Sequence, residues 1–157
     1  MRHRVFVYGT LLRGEINHRL LGDAEFLGPH RTAPCFGLYL LGAYPGAVRG
    51  GGDAIHGEIY AVDGAGLRRL DRLEEYPRLY DRQRLPSPHG QVWIYLYRGS
   101  LVDRPRIPHG DWRAFAADPD SVRAAGVRRV RNPKTRRPPL ADARRPVASD
   151  GTPTSSE

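Results

Sequence analysis

The sequence predicts an α+β fold, a small mixed β-barrel-like domain with a few short helices. The 157 residues include 18 glycines and 14 prolines, which is typical of a chain rich in loops and strands rather than a helical bundle. Apolar segments of strand length also outnumber helical segments. Because helices do not regularly separate these segments, a Rossmann arrangement is disfavoured.

Five segments have the composition of β-strands. The first is short and apolar and stops abruptly at Gly9 and Thr10. The last alternates an aliphatic face with an aromatic face, which predicts a central strand covered on both sides or a barrel strand. The segments are RVFVY (4–8), AEFLGPHRT (24–32), CFGLYLL (35–41), HGEIYAV (56–62) and QVWIYLYRG (91–99).

Helical patterns are fewer. The best one begins after Asp63, a good N-cap residue, and is expected to end at Pro77. A third short helix is expected to start near Gly110 or Asp111. The candidate segments are GEINHRLLG (14–22), DGAGLRRLDRLEEYP (63–77) and HGDWRAFAA (109–117).

The net charge of +8 is concentrated toward the C-terminus, where residues 128–157 carry eight basic and three acidic residues. This stretch is rich in Arg, Pro, Ser and Thr and poor in large apolar residues. We therefore predict one domain over residues 1–127 and an Arg/Pro-rich, disordered tail over residues 128–157. The tail has no aromatic residues among its basic ones, so nucleic-acid binding is not expected.

The single cysteine, Cys35, cannot form an internal disulfide, which favours a reducing, cytoplasmic location. Its place in the third apolar segment predicts a small buried strand residue rather than a nucleophile. No apolar run reaches membrane-spanning length, and no signal peptide is recognisable. The histidines are scattered, so we predict neither a metal nor a cofactor, and the oligomeric state stays open.

Two adjacent carboxylates lie near the end of the second helical segment. At about 100° per residue, Leu67, Leu70 and Leu73 define one apolar arc. Glu74 falls at the edge of this arc and is expected to face the protein body. Glu75 is expected to face solvent, on the side that carries two arginines.

An inward carboxylate is costly unless it is paired, protonated or functional. Glu74 is therefore a candidate for proton transfer. The alternative, which the pattern alone favours, is a structural ion pair between Glu74 and Arg78 or Arg82. These two interpretations stay open on the residue pattern.

The break after the first strand also has two interpretations. A strand that ends in Tyr8, Gly9, Thr10 and Leu11 before a helix can direct successive amide groups into one concavity that binds a carboxylate or an oxyanion. The alternative is an ordinary turn. No Walker A or GxGxxG pattern is present, so nucleotide phosphate is not indicated.

Taken together, VFVYGTLLRGEINHRLL, GEIYAV, LDRLEEYPRLYDR and WIYLY resemble the gamma-glutamylcyclotransferase-like proteins in order and spacing. The segment IPHGDWRAF (107–115) resembles a downstream element of the bacterial gamma-glutamylamine and butirosin-type branch. The resemblance implies a small barrel with helices and an enzyme that acts on a gamma-glutamyl amide. The substrate's α-amine would attack its own γ-carbonyl and release 5-oxoproline and a free amine.

The same resemblance assigns roles to single residues. The family's binding loop matches Tyr8, Gly9, Thr10 and Leu11, and its catalytic glutamate matches Glu74. Tyr8 and Tyr97 are candidates to orient the substrate through their hydroxyl groups, although both are equally compatible with core aromatics. Relatives often carry a small residue where this chain has Glu75. A non-catalytic module that binds a small molecule on the same fold remains the alternative function.

Overall fold

Seven β-strands form one mixed sheet in the computed structural model, which describes residues 1–126 of the chain. They are β1 (His3–Val7), β2 (Glu25–Arg31), β3 (Phe36–Leu40), β4 (Pro45–Arg49), β5 (His56–Val62), β6 (Tyr80–Ser87) and β7 (Gly90–Tyr97). The strand order is β2-β5-β1-β7-β4-β3, and β6 pairs with β7 beside this path. The predicted tail over residues 128–157 lies outside the described residues.

Three short α-helices accompany the sheet: α1 (Gly64–Leu73), α2 (Trp112–Ala117) and α3 (Pro119–Ala124). The predicted N-cap of α1 is confirmed, because the Asp63 carboxylate accepts a hydrogen bond from the Gly66 amide at 2.7 Å. Asp111 caps α2 in the same way. Segments of 3-10 helix span His18–Leu21 and Pro108–Gly110.

Two of the helix boundaries differ from the prediction. Only residues 18–21 of the first candidate segment are helical, and they form a 3-10 helix. The second helix ends at Leu73 rather than at Pro77. Its early end follows from Glu75, whose φ of 49° lies in the left-handed region that an α-helix cannot include.

The strand β7 lies at the centre of the sheet, which is the first of the two alternatives that its apolar faces predict. β6 pairs with it in antiparallel orientation along one edge. On the other edge, β1 pairs in parallel through Val5 and Phe6, and β4 then pairs in parallel at Leu96 through Ala47. β1 therefore has to stop where β4 takes its place beside β7.

The barrel-like description in the prediction is too strong. β2 and β3 lie at the two ends of the strand path, and within residues 1–126 they do not pair with each other. The sheet is consequently open. The mixed sheet with a few short helices is otherwise the predicted α+β class.

Two strands, β4 and β6, lie outside the segments that the sequence predicts. β4 begins with a proline and a glycine, and only Tyr80 and Leu85 of β6 are buried. Cys35 is also not the buried strand residue that we predicted, because it is exposed and immediately precedes β3. No helix among residues 1–126 is long and apolar enough to cross a membrane.

Candidate active site

A small cavity opens where β1 ends and β4 begins. The cavity itself measures about 30 Å³, and the open space at its mouth brings the whole depression to about 360 Å³. Five of the six site residues that the sequence predicts line this cavity. They are Tyr8, Gly9, Thr10, Leu11 and Glu74.

Gly9 occupies a position where a side chain would not fit. A Cβ atom built on Gly9 would lie 2.6 Å from Cγ and 2.9 Å from Cδ of Pro45. The Leu12 amide donates to the Gly9 carbonyl at 3.0 Å and closes a turn over Thr10 and Leu11. Within residues 1–126, the amides of Gly9, Thr10 and Leu11 donate no hydrogen bond, so they are available to a ligand carboxylate or oxyanion.

Glu74 follows α1 directly, and its side chain lines the cavity. Its amide donates to the Leu70 carbonyl at 2.9 Å, which holds the residue at the C-terminal end of the helix. The arginines named as structural partners for Glu74 pair with other carboxylates. Arg78 pairs with Glu75, and Arg82 pairs with Asp71.

Sequence reasoning missed six lining residues: Phe6 and Val7 of β1, and Tyr44, Pro45, Tyr80 and Tyr95. Tyr44 and Pro45 reach the cavity only because β4 follows β1 along β7. Tyr80 lies on β6, which was not predicted as a strand because most of its residues are polar. Tyr95 belongs to the predicted aromatic face of β7, which was the one available indication.

Three tyrosine hydroxyls of the cavity wall make identified hydrogen bonds inside the protein. Tyr8 donates to the Tyr95 carbonyl at 2.6 Å and accepts from the Ala47 amide at 3.1 Å. Tyr80 donates to the Pro45 carbonyl at 3.1 Å. Tyr95 donates to a carboxylate oxygen of α1 at 2.7 Å. For Tyr8, these contacts favour a role as a core aromatic residue over a hydroxyl that contacts the substrate.

The electrostatics of the cavity keep these phenols neutral. Burial is the main cause that raises the pKa of Tyr8, Tyr80 and Tyr95 far above that of free tyrosine, and the negative charge of Glu74 contributes to each shift. The phenols therefore stay protonated at neutral pH. Among the described lining residues, Glu74 alone carries a carboxylate, so it is the group suited to accept a proton.

An ion pair fixes the helix end that carries Glu74. Asp71, one turn earlier on α1, accepts from the Tyr95 hydroxyl at 2.7 Å and from the Arg82 guanidinium at 2.9 and 3.2 Å. The guanidinium also lies 4.5 Å from the ring centroids of Tyr76 and Trp93. These contacts tie α1 to β6 and β7 and restrict where Glu74 can lie.

Tyr97, the sixth predicted site residue, does not line the cavity. Its ring packs at 5.7 Å, edge to face, against the ring of Tyr80. Its Cβ approaches Gly46, where a Cβ atom would lie only 2.9 Å away. Tyr97 thus contacts a lining residue without lining the cavity itself, and a direct role in orienting substrate remains a prediction.

The arrangement places one carboxylate in the same cavity as a loop of unengaged amide donors. Such a pair can move protons and can also hold negative charge. Among residues 1–126, no group of three or more His, Cys, Asp or Glu side chains is arranged to hold a metal ion.

Comparison with known proteins gives consistent matches. Residues 5–114 match the family model described as gamma-glutamyl cyclotransferase, AIG2-like. A Vibrio cholerae protein named as a candidate gamma-glutamylcyclotransferase is 46% identical over 112 residues, covering 71% of this chain and 96% of the relative. A human protein named gamma-glutamylaminecyclotransferase is 44% identical over 132 residues, covering 68% of this chain and 86% of the relative.

A solved structure shares the fold. The crystal structure of a mouse AIG2-like protein superposes with a TM-score of 0.67 and 30% sequence identity. The match covers 84% of this chain and 97% of the mouse chain. The mixed sheet with few short helices is therefore an architecture that this chain shares with a solved relative.

Proposed function

Because the chain belongs to the gamma-glutamyl cyclotransferase, AIG2-like family, we propose that its cavity binds a gamma-glutamyl amide and converts it into 5-oxoproline and a free amine. The observation that carries the proposal is the position of Glu74. This carboxylate lines the same small cavity as Gly9, Thr10 and Leu11, although it lies far from them in the sequence.

The proposed reaction is intramolecular. The α-amine nitrogen of the substrate attacks its γ-carbonyl carbon, a new C–N bond closes the ring, and the C–N bond to the amine half breaks. Well-oriented intramolecular attack can lower the barrier by about 7–11 kcal/mol. The protein then has to orient the substrate, transfer protons and stabilise charge.

Glu74 is assigned the proton transfers. It takes a proton from the α-ammonium group before attack and donates it to the nitrogen of the leaving amine. The second proton that the attacking nitrogen loses on becoming the ring amide passes to the released amine, which departs as an ammonium ion. The amides of Gly9, Thr10 and Leu11 hold the substrate carboxylate or the oxyanion that forms at the γ-carbonyl. Since these donors are not engaged elsewhere among the described residues, holding this charge breaks no hydrogen bond of the loop.

The amine half of the substrate is proposed to be that of a gamma-glutamylamine. Support comes from the name of the human relative, which shares 44% identity with this chain. A cytoplasmic location is proposed as well, because Cys35 is exposed and unpaired, as expected in a reducing compartment.

Matched substitutions at the two adjacent carboxylates test the proposal. Glu74→Gln keeps the shape of the side chain but cannot carry a proton, so release of 5-oxoproline from gamma-glutamyl-lysine should fall by about 10²–10⁴-fold. Glu75→Gln is the control, since Glu75 is exposed and pairs with Arg78. Full activity of Glu74→Gln would remove Glu74 from the mechanism.

The wild-type protein also distinguishes the enzyme from a binding module. Tight binding of 5-oxoproline with no turnover of any gamma-glutamyl compound would favour a non-catalytic module. Release of 5-oxoproline in a screen of gamma-glutamyl amides would establish the enzyme and identify its amine half.

A further inference from the structure

The loop that lines the cavity is held at Arg13 by a buried carboxylate. Glu58 lies in β5 and is only 7% exposed. Its Oε1 accepts from the Arg13 amide at 2.8 Å and from the Tyr60 hydroxyl at 3.3 Å. A buried carboxylate is costly unless hydrogen bonds compensate for its lost hydration. Here, part of that compensation comes from the backbone of the loop.

A second side chain holds the other side of the same residue. Arg113, in α2, donates to the Arg13 carbonyl at 2.7 Å, and its guanidinium lies 3.8 Å from Glu58 Oε1. Both backbone groups of Arg13 are therefore bonded by side chains from distant parts of the sequence. This contact gives the C-terminal segment around α2 a connection to the cavity.

The beginning of the loop is held at Thr10. Asn17 is fully buried, and its amide donates to the Thr10 carbonyl at 2.8 Å. Its side-chain Nδ2 also donates to the Thr10 hydroxyl at 3.0 Å. Thr10 is thus fixed at two atoms by one residue, while its own amide donates to no other group among residues 1–126.

We infer that Glu58, Arg113 and Asn17 are positioning residues that hold the loop of residues 9–13 in its ligand-binding shape. The inference rests on the proposed function, because the loop is the proposed anchor for the gamma-glutamyl group. Donors that are fixed before the substrate arrives need no reorganisation during the reaction. All three residues bond loop atoms, and none of them lines the cavity.

The experiment compares Glu58→Ala, Glu58→Gln and Arg113→Ala in the full chain. The control is Arg106→Ala, because its side chain is 56% exposed, against 51% for Arg113, and it pairs with Asp53 rather than with the loop. The KM and kcat for gamma-glutamyl-lysine are measured well below the melting temperature. Amide hydrogen exchange by NMR supplies a readout that does not depend on activity.

Loss of the loop anchor is expected to raise the KM by about tenfold to a hundredfold in Glu58→Ala. If the loop amides hold the substrate carboxylate, the kcat should change less than the KM, because that contact is made in bound substrate and transition state alike. If they hold the oxyanion, the kcat should fall as well, because that contact forms only in the transition state. Glu58→Gln should recover part of the loss, since its amide oxygen can still accept from Arg13. Arg113→Ala should raise the KM less, and Arg106→Ala should leave it unchanged.

Hydrogen exchange tests the loop itself. In Glu58→Ala, the amides of Leu12 and Asn17 keep their own acceptors, so faster exchange at these two positions reports loosening of the loop. Amides of the β6–β7 hairpin should exchange as in the wild type. Equal acceleration at both places, or an unchanged KM with unchanged loop exchange, would overturn the inference.

The two proposals fail in distinguishable ways. If the wild type releases no 5-oxoproline from any gamma-glutamyl compound, the proposed function fails, and loop exchange alone decides whether these residues hold the loop. If the wild type is active and the variants keep both its KM and its kcat, the positioning role fails while the function stands. Should Glu58→Ala not fold, the half-exposed Arg113→Ala supplies the same comparison.

Discussion

Tyr8→Phe separates the structural role of this hydroxyl from a role in binding substrate. The hydroxyl of Tyr8 joins β1 to the two strands that meet beyond its end. It donates to the Tyr95 carbonyl at 2.6 Å and accepts from the Ala47 amide at 3.1 Å. Both partner residues are buried, with exposed fractions of 3% and 0%. Phenylalanine retains the ring, but the Tyr95 carbonyl and the Ala47 amide lose the hydroxyl as a hydrogen-bond partner.

The expected cost follows from those two groups. A buried polar group that loses its partner costs about 1–3 kcal/mol. The free energy of unfolding should therefore fall by about 2–4 kcal/mol, with the full cost at the amide donor and less at the carbonyl, which has a second lone pair. For a domain of this size, the melting temperature should fall by roughly 10 °C.

The assay combines thermal melting with kinetics at 25 °C. The kcat/KM of Tyr8→Phe should stay within a few-fold of the wild type, because the lost contacts lie within the protein. Tyr39→Phe is the control, since it removes a hydroxyl from a half-buried tyrosine outside the cavity. An unchanged melting temperature with a large loss of kcat/KM would refute the reasoning and place the hydroxyl on the substrate.

Gly9→Ala forces a methyl group against the Pro45 ring and should reduce the free energy of unfolding by about 1–3 kcal/mol in urea denaturation. A wild-type midpoint would mean that the ring moves aside. Asp71→Asn removes the charge that holds Arg82 and weakens the contact with Tyr95, so it should cost about 1.5–3 kcal/mol in the same assay. Unchanged stability would contradict the role given to this ion pair. The buried tyrosines of the cavity have raised pKa values, so above about pH 10 they ionise in the unfolded chain while staying protonated in the folded one. Stability should then fall with rising pH by roughly 1.4 kcal/mol per unit for each of these tyrosines, which urea midpoints from about pH 9 to about pH 11 would detect. A midpoint independent of pH in this range would show that the phenols are accessible to ionisation in the folded state.

Features that depend on near neighbours in the chain were predictable. The N-cap at Asp63 and the helix start near Asp111 were predictable, because an N-cap side chain accepts from a backbone amide only three residues ahead. The inward direction of Glu74 was also predictable, since helical periodicity sets which residues face the protein body. The left-handed conformation of Glu75 was not, because a glutamate rarely adopts it.

The strands show the same division. The two apolar faces of β7 predicted either a central strand or a barrel strand, because burial on both sides of a strand shows in its composition. The structure has the central strand. β4 was missed, since its proline and glycine are unfavourable in isolation and it is held by pairing with β3 and β7. The lack of pairing between β2 and β3 within residues 1–126 could not be predicted either, because pairing between distant segments leaves no local sequence pattern.

By itself, the sequence determined the α+β class, the loop at Gly9 and the inward carboxylate at Glu74, because each depends on composition or on short-range periodicity. Only the tertiary structure decided that β4 replaces β1 along β7, which opens the cavity and brings Tyr44, Pro45 and Tyr95 to its wall. Only the tertiary structure also brought Glu58 and Arg113 to the two sides of Arg13. The physical reason is that such contacts join residues far apart in the chain, and their energies come from burial and pairing that no local pattern records.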